Sequence, residues 1–228
     1  YSYSYNLIPI ESSLSVNSFF KRNNINKVYL HMFTDGRDTS PYSGESYIKS
    51  LENKIIEIGV GSIATLSGRY YSMDRDNNYD RILLSYNAIV NGIGPKYNSA
   101  IESWEDNQKQ NITDEFIIPS IINEKGNIES NDGIIYANFR PDRIRELASS
   151  LTNKHFNHFA KTNLENIKLV TMMPVSDEVI CTNAFKIEEL INTLGEYVST
   201  KNITQLRIAE TEKYAHVTYF FDGGIEKE

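Results

Sequence analysis

The segment beginning at Lys27 constrains the fold more than any other. A β-branched and aromatic run, Lys27 to Phe33 (KVYLHMF), stops at the turn Thr34-Asp35-Gly36. From Ser43 the apolar period lengthens, with Tyr47, Leu51, Ile55 and Ile58 three or four apart, and Gly59 ends the run as a helix C-cap would. Ser62 to Leu66 is then a second short strand. Strand, loop, helix and strand in this order make the unit of an α/β domain.

The pattern continues along the chain. Arg81 to Val90 and Ser99 to Gln108 read as helices, and Phe116 to Ile122 and Gly133 to Phe139 as strands flanking a Lys125-Gly126-Asn127 turn. Pro141 sits in the first turn of the next helix, where its missing N–H costs nothing. Leu169 to Met173, Gln205 to Ala209 and Val217 to Phe221 are further strand candidates, with a helix from Ile187 to Ser199. These elements predict α/β architecture: a single three-layer domain with a mixed central sheet and helices on both faces. Residues 1–26 form an atypical leading segment and 27–228 the domain itself.

With 228 residues the chain is long enough for such a core. A formal charge of −7 argues against a general nucleic-acid binder, and the tyrosines fall at core positions rather than on a stacking platform. No apolar run approaches the roughly 20 residues of a membrane span, and the N-terminus lacks the pattern of a signal peptide. A cytoplasmic protein that binds neither membrane nor nucleic acid is expected. Cys181 is the single cysteine, which excludes an internal disulfide and a multi-cysteine zinc site.

Loops after the predicted strands collect charge. They are Asp35-Gly36-Arg37-Asp38-Thr39, Gly68 to Asp76 (GRYYSMDRD), Asn138 to Arg143 (NFRPDR) and Ala209 to Tyr214 (AETEKY). Ligands of open α/β sheets bind beyond the strand ends, and the planar fork of arginine suits phosphate or carboxylate. An anionic ligand follows from that placement. Taken singly, each arginine could equally be pairing with a neighbour among Asp38, Asp74, Asp76 and Asp142 as a surface salt bridge.

The stretches HMFTDGRDTSP, GRYYSMDRD, NFRPDR and AETEKYAHVTYFF, with Thr113 to Ser120 and Asn192 to Glu196, closely resemble the hallmark motifs of the 2,3-bisphosphoglycerate-independent phosphoglycerate mutases. The similarity runs from about Lys27 to Gly224. It implies a substrate-binding (phosphotransferase) domain that holds 3-phosphoglycerate or 2-phosphoglycerate for interconversion in glycolysis. In that family a separate alkaline-phosphatase-like domain supplies a serine nucleophile and two manganese ions. By motif matching, Arg37, Arg69, Arg75, Arg140, Arg143 and Lys213 bind the substrate's phosphate and carboxylate, and Asp38 binds substrate and manages the hydroxyl proton as the catalytic carboxylate. A monomer is expected, with no cofactor in this chain, the metal domain absent, and the fragment alone inactive. The alternative is a truncated, non-catalytic anion-binding or structural fragment of the same family.

Family members carry a Gly-Gly-Val-His-Ser-His-like segment before the Asp-Gly-Arg-Asp motif, whereas Tyr1 to Ser13 holds no histidine. Of the four histidines, His155 and His158 are neighbours without a carboxylate cluster, and His31 reads as a satisfied strand residue. Gly59-Val60-Gly61-Ser62-Ile63-Ala64 mimics a dinucleotide loop but runs from helix to strand, the reverse of the required order. Asp74, Asp76 and Asn78 begin like a calcium loop, but Tyr79 stands where glycine is needed.

Overall fold

A computed structural model describes residues 17–186 and 190–224. The chain divides into two compact units, 1–185 and 186–228. In the first unit, β1 (Tyr29–Thr34) runs parallel to β2 (Ser62–Gly68), and the short β3 (Ser120–Ile121) pairs antiparallel with β2. A second sheet holds β4 (Gly133–Tyr136), β5 (Lys168–Thr171) and β6 (Thr182–Asn183), all parallel. The α/β class and the mixed strand directions agree with the sequence reading, but the described strands gather in two three-stranded sheets rather than one central sheet.

The division has local causes. Pro119 withholds an N–H just before β3, which shortens it to two residues within the predicted strand Phe116 to Ile122. A 3-10 turn, Glu124–Gly126, then leads the chain off that edge. A side chain on Gly126 would strike Ala64 and Tyr29, so glycine lets this turn dock on the sheet.

Helix α1 (Gly44–Ile58) ends at Gly59, whose φ of 77° is the left-handed C-cap expected of it. The four-residue α2 (Arg69–Ser72) leaves β2 directly. Helix α3 (Tyr79–Tyr86) runs on into a π turn, Asn87–Asn91, and α4 (Ala100–Lys109) is capped by Ser99, whose side chain accepts from the N–H of Glu102. Helix α5 (Pro141–Thr152) has Pro141 in its first turn, as its sequence indicates. One core packs α3, α5, β4 and β5 around Ile82, Tyr86, Ile144, Leu147 and Leu169, and the other packs α1 and α4 on the first sheet through Ile48, Leu66, Trp104 and Ile117. Phe33, at the end of β1, reaches the first of these cores and meets Tyr136 with ring centroids 6.2 Å apart.

The second unit departs further from its sequence pattern. Helix α6 (Leu194–Thr200) starts at a capping box formed by Thr193 and Glu196, and residues 187–189 of the longer predicted helix lie outside the described residues. Gln205 to Ala209 forms no ladder, and Leu206 is 88% exposed, because no strand is hydrogen-bonded beside it among the described residues. The predicted strand Val217 to Phe221 is instead helical at its start, in α7 (Tyr214–Val217), and then a series of turns. Alternation alone does not make a strand without an edge to pair with. The leading residues 1–16, which include the histidine-free stretch, lie outside the described residues.

Candidate functional site

The end of β1 shapes the first wall of the site. Thr34 Oγ1 donates to the carbonyl oxygen of Asp114 at 2.6 Å, which fixes where the strand stops. Asp35 Oδ1 then accepts from the backbone N–H groups of Arg37 and Asp38, both at 3.3 Å, and curls the loop back. Gly36 adopts a φ of 66° and sits so close to Glu115 that a Cβ would lie 2.5 Å from that backbone nitrogen. Only glycine meets both demands.

Asp114 stands behind this wall, and sequence reasoning missed it. Its carboxylate accepts from Trp104 Nε1 at 2.7 Å and from the N–H of Gly44 at 2.6 Å, which joins α4 and the start of α1 to the segment facing the cleft. Burial pushes its pKa up, and the donors from Trp104, Gly44 and Ser43 oppose that shift.

Arg69 opens α2 at the end of β2, and its side chain is 2% exposed. Nη1 donates to Asp35 Oδ1 at 2.5 Å and to Asp38 Oδ2 at 2.9 Å. Burial works against its charge, but the two carboxylates outweigh it and raise the pKa. The bond from Arg69 is the main reason that the Asp38 carboxyl is held below its ordinary range; burial opposes this, and the charges of Arg69, Arg140 and Arg37 add to it.

Helix α5 supplies the opposite wall. Asn138 Oδ1 accepts from the N–H of Arg140 at 2.9 Å and turns the chain into the helix. Arg143 is 8% exposed and donates from Nη1 to the carbonyl oxygen of Met73 at 3.0 Å, while its buried Nε finds no hydrogen-bond partner among the described residues. Burial and the positive charges of Arg75, Arg69 and Arg140 push its pKa down. At the rim, Asp142 Oδ2 accepts from Arg75 at 2.8 Å and from Arg140 at 3.3 Å. Burial would raise the Asp142 pKa, but these two arginines bring it below the ordinary value.

A cleft of about 260 Å³ lies between the walls, lined by Arg37, Arg69, Arg81, Arg143, Tyr70, Phe116 and acidic neighbours including Asp74 and Glu115. Arg37 is the most open of these cations, with its side chain 59% exposed and Nη1 3.8 Å from Glu115. Arg37, Asp38, Arg69, Arg75, Arg140 and Arg143 therefore fall in one electrostatically coupled cluster. Lys213 belongs to the second unit, where it closes the 3-10 turn Thr211–Lys213. Arg81 was missed: it stacks 4.0 Å over the Tyr70 ring and donates to Asp74 Oδ1 at 3.1 Å. The sequence marks it only as the start of a helix, and nothing there announces the ring beneath it.

The arrangement can hold a small dianion, since it concentrates arginine donors with one of them buried and short of an acceptor. Among the described residues no group of three or more His, Cys, Asp or Glu could hold a metal ion, and no helix is long and apolar enough to cross a membrane.

Comparison with known proteins gives the family of the chain. Residues 10–177 match the family model described as BPG-independent PGAM N-terminus. The chain is 49% identical over 212 residues to a 2,3-bisphosphoglycerate-independent phosphoglycerate mutase of Clostridium perfringens, covering 91% of this chain and 41% of that protein. It is 47% identical over 224 residues to the protein of the same name from Clostridium beijerinckii, covering 96% and 44%. In fold it resembles a crystal structure of Leishmania mexicana phosphoglycerate mutase, with a TM-score of 0.79, 23% identity, and 96% of this chain and 42% of that one covered. The chain thus spans less than half the length of these relatives, and over that span it belongs to the family of BPG-independent phosphoglycerate mutase N-terminal domains.

Proposed function

We propose that residues 27–228 act as the substrate-binding domain of a cofactor-independent phosphoglycerate mutase, holding 3-phosphoglycerate or 2-phosphoglycerate in the arginine cleft. The observation that carries this reading is Arg143: a buried guanidinium among three other cations, with one N–H lacking an acceptor among the described residues. A phosphate supplies that acceptor and offsets the mutual repulsion.

In this reading Arg69, Arg143 and Arg37 grip the charged ends of the substrate, and Arg75 and Arg140 exchange part of their contact with Asp142 for it. The family resemblance also gives Lys213 a part in substrate binding. Asp38 takes the proton of the reacting hydroxyl. A carboxylate held at low pKa by Arg69 is a weak base, so substrate anions that draw Arg69 toward themselves leave Asp38 more basic when it is needed. Phosphoryl transfer asks mainly for positioning and charge neutralisation, which convergent arginines provide.

The family resemblance assigns the serine nucleophile and two manganese ions to another domain, and the described residues offer no donor set that fits them. The chain's part is to bind and orient. We place this activity in glycolysis, in the cytoplasm, with a monomer as the working unit. The test is calorimetric titration of 3-phosphoglycerate and of inorganic sulfate at two salt concentrations. Saturable, salt-sensitive binding that favours 3-phosphoglycerate supports the proposal; equal affinity for both anions favours the generic anion-binding alternative, and no binding overturns both.

A further inference from the structure

Two separate segments meet at the cleft: the turn around Arg75, whose Met73, Asp74 and Asp76 line it, and the start of α5, whose Arg143 lines it and which also carries Arg140. Glu146 lies one turn further along α5 from Arg143 and is 1% exposed. Its Oε1 accepts from the N–H of Asn77 at 3.0 Å, two residues after Arg75. Asn77 adopts a φ of 63°, and its neighbours Asp76 and Asn78 both donate backbone N–H to Asp74 Oδ2, at 3.0 and 2.9 Å. Asp74 in turn holds Arg81. One buried carboxyl on α5 is therefore tied to a turn organised by another.

Building on the phosphoglycerate reading, we infer that Glu146 is a positioning residue of the cleft: its hydrogen bond to Asn77 locks the Asp74–Asn78 turn onto α5 and so sets the spacing between Arg75 and the Arg140–Arg143 pair. The bond from Arg143 to the Met73 carbonyl and that from Arg75 to Asp142 run between the same two segments, so the lock registers both sides of the anion site at once.

The chemistry of the lock is unusual for a glutamate. Glu146 Oε2 is buried and meets no donor among the described residues, which disfavours a charged carboxylate there. Burial raises its pKa, the Asn77 bond opposes this, and the Asp74 carboxyl adds to the rise through its charge and through a hydrogen bond that only a protonated Glu146 can donate to it. Arg145 on the same helix lowers it, and Tyr79 from α3 lies within electrostatic range of both Glu146 and Arg145. What the turn requires from position 146 is an acceptor of the right reach, and a neutral amide supplies one.

The experiment measures 3-phosphoglycerate and inorganic phosphate affinity of the full chain with Glu146→Gln and Glu146→Leu, alone and with Arg75→Ala. Gln is expected to stay within about threefold of wild type, whereas Leu loses about tenfold or more, and less than threefold when Arg75 is already gone. Equal affinity of Leu and wild type, a Gln variant as weak as Leu, or an undiminished Leu effect in the Arg75→Ala background overturns the inference. Should the Leu variant not fold, hydrogen exchange of the Asn77 amide in wild type decides: strong protection supports the lock, and an unprotected rate overturns it. Wild-type binding of phosphate without preference for 3-phosphoglycerate would instead remove the substrate reading, and the Glu146 comparison is then read with phosphate.

Discussion

Arg143 Nη1 donates to the main-chain oxygen of Met73 at 3.0 Å, so the guanidinium is anchored to the opposite wall of the cleft before any ligand arrives. Anchoring one nitrogen fixes the plane of the fork and aims the remaining N–H groups. A lysine at this position keeps the charge but cannot hold the carbonyl and a phosphate with one rigid plane. Arg143→Lys should weaken 3-phosphoglycerate binding roughly tenfold or more, in line with about 1.5–3 kcal/mol for a charged hydrogen bond. Calorimetry on two folded proteins at low and high salt reads the effect, and equal affinities would remove Arg143 from the site.

The pair formed by Arg69 and Asp35 predicts a stability effect separate from binding. Both side chains are essentially inaccessible, at 2% and 1% exposure, and Asp35 Oδ2 has no hydrogen-bond partner among the described residues. Removing the arginine alone strands a buried carboxylate, which costs about 3–5 kcal/mol. Arg69→Leu should therefore lower the urea midpoint sharply, and adding Asp35→Asn should restore part of the loss. A double variant no more stable than the single one would show that the charge of Asp35 is not what destabilises it.

His31 gives a pH dependence with a defined sign. Its Nδ1 lies 3.0 Å from Thr65 Oγ1, and burial pulls its pKa from 6.5 to about 4, with a bond to the Gly126 backbone working the other way. Between those values the unfolded chain holds a proton that the folded chain does not. The stability this confers is present above pH 6.5 and is lost as pH falls toward 4. The residue keeps some solvent contact, which limits the change to about 1–3 kcal/mol. Urea midpoints measured from pH 7.5 down should fall more steeply for wild type than for His31→Gln; parallel curves would refute the assignment.

The parts legible in the sequence are those whose cause is local. Gly59 after an apolar helical run, Ser99 before one and Pro141 at a first turn each act within a few residues, and the structure has a cap or helix start at each. The arginine loops were legible for the same reason, since glycine and asparagine beside them mark strand ends. Asp114 was not, because its meaning comes from Thr34, Gly44 and Trp104, and the first of these lies 80 residues away. Arg81 and Glu146 look like ordinary helical surface until the turn at Asp74 folds against them. The second unit misled for the converse reason: Leu206 and Ile208 alternate like a strand yet remain 88% and 84% exposed.

Gly68 offers the sharpest test of how β2 holds the segment from Asp114 to Ile117 beside the cleft. Its φ of −73° is available to any residue, so glycine is needed there for space and not for conformation. A Cβ at this position would lie 2.3 Å from the carbonyl oxygen of Glu115 and 2.6 Å from the nitrogen of Ile117. Both are backbone atoms and cannot swing aside. Relief requires the segment from Asp114 to Ile117 to move off β2, breaking the Gly68 N–H bond to the Ile117 oxygen at 2.7 Å. That movement carries Glu115 and Phe116 away from the cleft and disturbs the Asp114 anchor to Trp104. Overpacking of this kind costs about 1–3 kcal/mol, and a rigid backbone contact belongs at the upper end. Gly68→Ala should therefore lose about 3 kcal/mol of stability and bind 3-phosphoglycerate about tenfold more weakly. Gly133 is the matched control, because a Cβ there meets nothing within 4 Å, and Gly133→Ala should stay within about 0.5 kcal/mol of wild type. Should Gly68→Ala match the control in both urea midpoint and affinity, the close approach of β2 to the 114–117 segment is not what holds the cleft open.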